Sequence, residues 1–368
     1  MITDFNLEHH FKPRQGWMND PNGLVYYKGY YHAFYQHVPD HEIPIKEKMS
    51  WGHARTKDFI TWEELPIAIC PDMPYDAVGC YSGTAVVKDD VLYIFYASIM
   101  MGDDGKKREF ISVAYSDDGI NFTKYENNPV INKIPPEAHP RQFRDPALME
   151  ANGRYYCVIA AGKKEEMVAS LLLYESRDLL NWEYKGPLVQ YKDCFACECP
   201  SFMKCGERYM LTSSVIVDGD NRYFTVMYGD FDGQKFTPEV TKRVHKGPDQ
   251  YAGQAFVDHK GRNLFLTWIP GWTYSNYAER SLGCLSLPVE FKVEGDRITA
   301  YPIEEVRHLL KDSDPCLQMT DDGFVIKRTD RPDVVYQGEI RDIKVLRDNY
   351  IIEVYVNGGE EVLVAVLC

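Results

Sequence analysis

Three acidic residues of this sequence stand one or two positions before a proline in short stretches: Asp20 in GWMNDPNG, Asp145 in FRDPAL and Glu198 in CECPSF. Proline lacks a backbone N–H, so each acid marks a point where a strand begins or breaks. Three carboxylates drawn together could act on a bound substrate, hold a hard cation such as Ca²⁺, or only cap three turns. The choice depends on whether the elements that carry them are related.

A repeat relates them. The pattern Asp, two residues, Thr, Asn or Lys, then Trp or Phe occurs at DFITW (Asp58), DGINF (Asp118), DLLNW (Asp178) and DGQKF (Asp232), a spacing of about 60 residues. Each copy follows a strand-like run and reads as the hairpin turn between the outer strands of a β-propeller blade, with its aromatic packing back on its own blade. Asp20, Ser82, Asp145 and Glu198 precede successive copies by about half a period. They therefore fall at comparable places on the first strands, which line a propeller's central channel, and the three carboxylates should converge on one axis. The period predicts an all-β chain with a five-bladed β-propeller over residues 1–300, although no fifth copy of the turn is found. Residues 301–368 read as a short C-terminal β module, in which YIIEVYVNGGEEVLVAVLC gives two alternating strands around Asn357-Gly358-Gly359. So few strands make a reduced sandwich, which should pack on the propeller or complete itself across a subunit interface in a homo-oligomer.

Composition excludes several classes. The net charge of −14, from 41 basic and 55 acidic residues, repels polyanions, so nucleic acid is not an expected partner. No window of 18 apolar residues suits a membrane span. The first residues lack the pattern of an export signal and the ten cysteines are scattered, which together suggest free thiols in a reducing cytoplasm. Cys194, Cys197, Cys199 and Cys205 contain a single C-x-x-C spacing and read as a core-facing thiol cluster rather than a zinc site. Strand alternation would turn Glu198 to one face and Cys197 and Cys199 to the other. H-E-x-x-H, nucleophile-elbow, phosphate-loop and dinucleotide patterns are absent, and no metal or organic cofactor is expected.

The sequence resembles glycoside hydrolase family 32, the β-fructofuranosidases that include invertases, fructan hydrolases and sucrose-6-phosphate hydrolases. The resemblance rests on GWMNDPNG, YYHAFYQ, WGHARTKDFITWEELPIAI, YSGTAVV, FRDPAL and ECPSF, in that order, over about residues 9 to 300. It implies that Asp20 is the nucleophile, Glu198 the general acid/base and Asp145 a transition-state stabiliser that holds fructose hydroxyls. It further implies that Asn19, Gln36, Ser82, Arg144 and Trp268 serve the fructose subsite. A retaining glycosidase needs its nucleophile and acid about 5 to 5.5 Å apart, with environments that push their pKa values in opposite directions. Arg144 should favour the ionised form of Asp145, and Trp17 should wall the pocket beside Asp20. The chain departs from the family in the loop over residues 37–50, in GPDQYAGQAF, where only Tyr251, Ala252 and Gln254 match, and in its short C-terminus. Lys46, Lys48 and Arg55 could meet a phosphate on the substrate, or only form a solvated surface. A small fructoside or fructo-oligosaccharide is the expected substrate; fructosyl transfer on the same acids and a sugar-binding propeller without catalysis are the alternatives.

Overall fold

The computed structural model describes residues 6–40, 48–218, 221–244, 247–270, 281–329 and 331–367. β-branched and aromatic runs form strands throughout, and the strands pair into antiparallel sheets. Sheet I holds β1 (Gly16–Tyr27), β2 (Tyr30–Val38), β3 (Ser50–Thr56) and β4 (Trp62–Ile69). Sheet II holds β5 (Gly79–Lys88), β6 (Val91–Met101), β7 (Lys107–Ser116) and β8 (Thr123–Lys124). Sheet III holds β9 (Phe143–Ala151), β10 (Arg154–Lys163), β11 (Val168–Ser176) and β12 (Trp182–Lys192). Sheet IV holds β13 (Ala196–Cys205), β14 (Arg208–Asp218), β15 (Asn221–Phe231) and β16 (Phe236–Val244). After β17 (Tyr251–Val257) and β18 (Asn263–Ile269), the chain passes through β19 (Ser281–Leu282) and β20 (Cys284–Leu285) before β21 (Val289–Glu294) and β22 (Arg297–Pro302) complete sheet V.

The first strand of each sheet touches the first strands of its two neighbours, in the closed circuit β1, β5, β9, β13, β17 and back to β1. β19 leaves sheet V and pairs in parallel with β1, Gly16 opposite Ser281 and Trp17 opposite Leu282. The last sheet is thereby laced to the first by backbone hydrogen bonds.

The sequence repeat is the turn between the third and fourth strands. In sheets I to III a hydroxyl, from Thr56, Ser116 or Ser176, donates to the carboxylate of Asp58, Asp118 or Asp178 at 3.1, 2.8 and 3.1 Å. The same carboxylate oxygen accepts the backbone N–H groups two and three residues on, as at Leu180 and Asn181, 2.9 and 2.8 Å. Asp232 in sheet IV repeats the two backbone contacts. Sheet V turns instead through Gly295 and Asp296, with Glu294 paired to Arg297. A two-residue hairpin has no room for the Asp-centred loop, which is why the repeat stops at four copies.

The aromatic of the repeat does not stay uniformly on its own sheet. Phe122 of sheet II packs edge-on against Phe34 of sheet I at 5.5 Å, and Trp182 of sheet III against Phe95 of sheet II at 6.0 Å. Phe236 alone of these three remains on its own sheet, beside Phe202. An aromatic at the start of a fourth strand can reach the groove between stacked sheets, and the larger burial lies there.

Residues past 302 form two three-stranded sheets: β23 (Leu317–Thr320), β24 (Gly323–Ile326), β25 (Val334–Gln337), then β26 (Ile343–Asp348), β27 (Ile351–Val356), β28 (Glu361–Val366). The expected pair of strands around Asn357–Gly359 is β27 and β28, and Asn357, Gly358 and Gly359 all take positive φ there. Ile352, Val354, Val356, Leu363 and Ala365 share a core with Phe324, Ile326 and Tyr336 of the other small sheet. The opposite face, with Ile351, Val364 and Val366, packs into the cluster that contains Trp17 and Trp268. Both faces of β27 and β28 are thus covered within one chain.

Candidate active site

All five first strands carry the same defect at the same level. Two of their residues face one on the second strand: Asn19 and Asp20, Tyr81 and Ser82, Asp145 and Pro146, Cys199 and Pro200, Ala252 and Gly253. Such bulges leave residues unpaired and re-aim side chains. Prolines at the second bulge position in sheets III and IV cost the ladder no donor. Asp145, Cys199 and Ala252, each first in its bulge, take φ of +55°, +47° and +51°, conformations that cost a non-glycine residue on the order of 1 kcal/mol or more. Gly253 has the place that Asp20 has in sheet I, and a Cβ there would lie 2.1 Å from the Phe265 ring. The four positions expected to be equivalent fall on this one feature but in steps: Asp20 and Ser82 are second in their bulges, Asp145 is first, and Glu198 is the last paired residue before its own.

Asp20, Asp145 and Glu198 open on one pocket of about 410 Å³, together with Asn19, Gln36 and Trp268. Asp20 Oδ2 accepts the Ser82 hydroxyl at 2.5 Å, and Ser82 Oγ in turn accepts Gln36 Nε2 at 2.6 Å. Ser82 therefore stands behind the acid, oriented by Gln36, the residue opposite the sheet I bulge. Glu198 Oε1 accepts Arg144 Nη2 at 2.6 Å and its Oε2 accepts the Tyr251 hydroxyl at 2.6 Å. Arg144 Nη1 reaches Glu109 Oε2 at 3.1 Å, and the same Glu109 oxygen accepts the Phe143 N–H at 2.9 Å. Asp145 Oδ2 accepts the Cys199 backbone N–H at 3.0 Å.

Arg144 does not dominate Asp145 as expected. Burial pushes the Asp145 pKa upward, to about 7, and the neighbouring Glu198 and Asp20 push the same way, against Arg144 and the Cys199 N–H. The guanidinium directs its hydrogen bonds to Glu198, Glu109 and the Arg141 carbonyl, and its charge is the largest influence opposing burial at Asp145. Burial, and then the adjacent carboxylates, also hold the Tyr251 hydroxyl and the Cys199 thiol in their neutral forms, so both remain donors. Cys199 Sγ lies 3.6 Å from Asp20 Oδ2 and 3.8 Å from Asp145 Oδ2.

That position corrects the alternation argument. The bulge at Cys199 and Pro200 interrupts the period of two, so Cys199 reaches beneath the acids while Cys197 points to Ala161 O and Ser170 O in sheet III. The four cysteines do not cluster: Cys194 and Cys197 join one core, Cys199 a second and Cys205 the edge of a third. Among the described residues no group of three His, Cys, Asp or Glu side chains is placed to hold a metal.

Trp17 does not wall the pocket. It is fully buried behind it, edge-on to Trp268 with ring centroids 6.4 Å apart. Trp268 lines the pocket and Trp17 braces it, with Val364 and Val366 of the C-terminal sheet in the same cluster. Glu109, Tyr251 and Cys199 are the site residues that sequence reasoning did not assign. Glu109 directly precedes the largely apolar run FISVAY of KREFISVAYS, and an acid at the head of that run was the available signal. Of the loop over 37–50, residues 41–47, Lys46 included, lie outside the described residues. Lys48 does not line the pocket, and Arg55 is bound to Glu63 at 2.7 Å.

Residues 10–302 match the family description "Glycosyl hydrolases family 32 N-terminal domain", and the chain belongs to this family. It is similar to the sucrose-6-phosphate hydrolase of Zymomonas mobilis, 34% identical in an alignment of 325 positions that covers 82% of this chain and 62% of that protein. It is also 33% identical to the raffinose invertase of Escherichia coli over 83% of this chain and 66% of that one. The chain thus spans slightly less than two thirds of the length of these relatives. Among solved structures, a Bombyx mori GH32 beta-fructofuranosidase superposes with a TM-score of 0.84 at 27% identity, covering 99% of this chain and 89% of that chain.

Proposed function

We propose that this protein is a retaining β-fructofuranosidase that releases fructose from small β-fructosides. The observation that carries the reading is the division of labour at one pocket. Asp20 is held as a hydrogen-bond acceptor by Ser82, while Glu198 sits across from it between Arg144 and the Tyr251 hydroxyl. In the first step an Asp20 oxygen bonds to the anomeric carbon as the glycosidic C–O bond breaks and the leaving oxygen takes a proton from Glu198. In the second, Glu198 takes a proton from water, whose oxygen attacks the anomeric carbon and frees Asp20. Arg144 and the Tyr251 hydroxyl hold the Glu198 carboxyl group in place for both steps. Asp145 accepts hydrogen bonds from fructose hydroxyls, with Asn19, Gln36 and Trp268 completing that subsite and Ser82 positioning the nucleophile. The neighbours' names support the substrate class: a second Bombyx mori beta-fructofuranosidase structure, 26% identical, is in complex with sucrose.

The reading extends to the architecture. Sheets I to V form a five-bladed propeller over residues 1–300, supported by the closed circuit of first strands. Residues 301–368 form a reduced sandwich, supported by the core shared between the two small sheets. The described cysteines are all unbridged, which suits a reducing compartment such as the cytoplasm.

The test is chemical rescue. Glu198→Ala should lower fructose release from sucrose by roughly a thousandfold or more, and on fructosyl fluoride, whose leaving group needs no proton, added azide should restore turnover as fructosyl azide of retained configuration. Near wild-type hydrolysis by Glu198→Ala, or an inverted product, would remove the assignment.

A further inference from the structure

We propose that Arg328, in the connection between β24 and β25, is a positioning residue for Glu198 and acts on it through Asp249 and Tyr251. The inference rests on the fructosidase reading, which gives Glu198 its role as the acid.

The support of Glu198 runs along one level of the sheets. Arg144, Glu198 and Tyr251 are each the last paired residue before the bulge of their own first strand, opposite Ala160, Ser214 and Trp268. They stand on successive sheets and bond in series, with Glu198 in the middle. At the Arg144 end the series is fixed by Glu109 of sheet II. At the Tyr251 end the same place in sheet I holds Met18, which is apolar, so Tyr251 takes its support from another direction.

That direction is the pair of small sheets past residue 302. Tyr251 directly precedes Ala252, whose φ of +51° persists only where the surrounding chain over-determines it. Past the bulge, Gln254 Nε2 donates to Gly83 O at 2.9 Å and the Ala255 N–H to Ser201 Oγ at 2.8 Å. Before it the anchor is Asp249, whose Oδ2 accepts Arg328 Nη1 at 2.6 Å and the Val366 N–H at 2.8 Å. The Asp249 N–H reaches Val364 O at 3.4 Å, and a Cβ on Gly247 would lie 2.2 Å from the Val364 nitrogen. Residues 247–249 thus run along the edge of β28, and the Tyr251 ring packs in the same apolar cluster as Val364 and Val366.

The bridge suits a positioning role. The Arg328 and Asp249 side chains are 7% and 4% exposed, so salt and water screen the pair little. Arg328 is itself fixed, with its Nε donated to Pro332 O at 2.8 Å. A buried pair of one geometry can specify register more than it adds stability, and the register here is that of β17 against β28. From Asp249 to Tyr251 the chain is buried at every residue, so a shift at the bridge is passed to the hydroxyl that holds Glu198.

The experiment is a double-mutant cycle on fructose release from sucrose by the full chain. Tyr251→Phe removes a donor to Glu198 and should lower kcat roughly tenfold. Arg328→Gln should lower kcat several-fold with KM changed less than about twofold, and should move the pH profile of kcat/KM in the same direction as Tyr251→Phe. The double variant should be no slower than Tyr251→Phe alone. Losses that multiply in the double variant, or a wild-type pH profile in Arg328→Gln, would overturn the route through Tyr251 and leave the fructosidase reading standing. Should Arg328→Gln not fold, Arg328→Lys keeps the buried charge paired and goes through the same cycle. No release from sucrose by the wild type would count against the fructosidase reading instead. Amide hydrogen exchange then decides the inference: Arg328→Gln should speed exchange at Tyr251 about tenfold and leave Val158 of sheet III unchanged, and equal effects at the two sites, or none, would refute it.

Discussion

His10 is buried between two carboxylates of the C-terminal sheet, Nδ1 at 2.8 Å from Asp348 Oδ2 and Nε2 at 3.0 Å from Glu353 Oε1. Asp348 also accepts the backbone N–H groups of Glu8, His9 and His10, and Glu353 accepts that of Leu287. The cluster therefore ties the approach to β1, which carries Asp20, to the segment after β20 and to β27. Burial alone would lower the His10 pKa, but the two carboxylates outweigh it and raise it from 6.5 to about 9. A difference of roughly 2.5 pH units at about 1.4 kcal/mol per unit gives on the order of 3 kcal/mol. The folded state binds the proton more tightly, so this stability is fully present below pH 6.5 and is lost as pH rises to 9. His32 has the opposite sign: burial first, then Arg55, lowers its pKa to about 4. Its contribution is present above pH 6.5 and lost as pH falls toward 4. The two contributions are both fully present only near pH 6.5. His10→Gln keeps one N–H donor but no charge, and should lose about 3 kcal/mol at pH 6 and little at pH 9.5. Urea midpoints at pH 6, 7.5 and 9.5 measure the difference. Parallel wild-type and variant profiles across that range, or a His10 ring resonance titrating near pH 6.5, would refute the reasoning.

Two further outcomes follow from the site. Asp145 has a raised pKa in the folded chain, so between about pH 4 and 7 the unfolded chain ionises while the folded one resists. Asp145→Asn should therefore unfold at a higher temperature than the wild type at pH 8, match it near pH 4, and turn over sucrose roughly a hundred- to a thousandfold more slowly. A lower melting temperature at pH 8 would show that burial is not the ruling influence on this acid. Glu109→Gln keeps an acceptor for the Phe143 N–H but removes one of the two carboxylates on Arg144. It should lower kcat roughly tenfold and shift the pH profile of kcat/KM with little change in KM, whereas a purely structural role would leave the pH profile in place.

How far the sequence could be read depends on which interactions are local. The Asp-centred turns are made within five residues, so their side chains announce themselves at a regular spacing, and the fold follows from counting them. The fifth turn is missing for an equally local reason, a two-residue hairpin at Gly295 and Asp296. The convergence of Asp20, Asp145 and Glu198 was legible because each has a proline within two residues that marks its bulge. What alternation misjudged, Cys199, lies inside a bulge, where the period of two no longer applies. Trp17 was misplaced because its neighbours Trp268 and Val364 are hundreds of residues away, and no short pattern records which face of β1 they cover. Glu109 has the same difficulty: its role is defined by Arg144 and Phe143 on the next sheet. The chemistry of the acids is written in single strands. The orientation of the acids is written between strands, in the bulges and in the C-terminal sheet behind them, and a substitution in that sheet at Val364 or Ile351 should reach the pocket through Trp17 and Trp268 before it reaches any substrate contact.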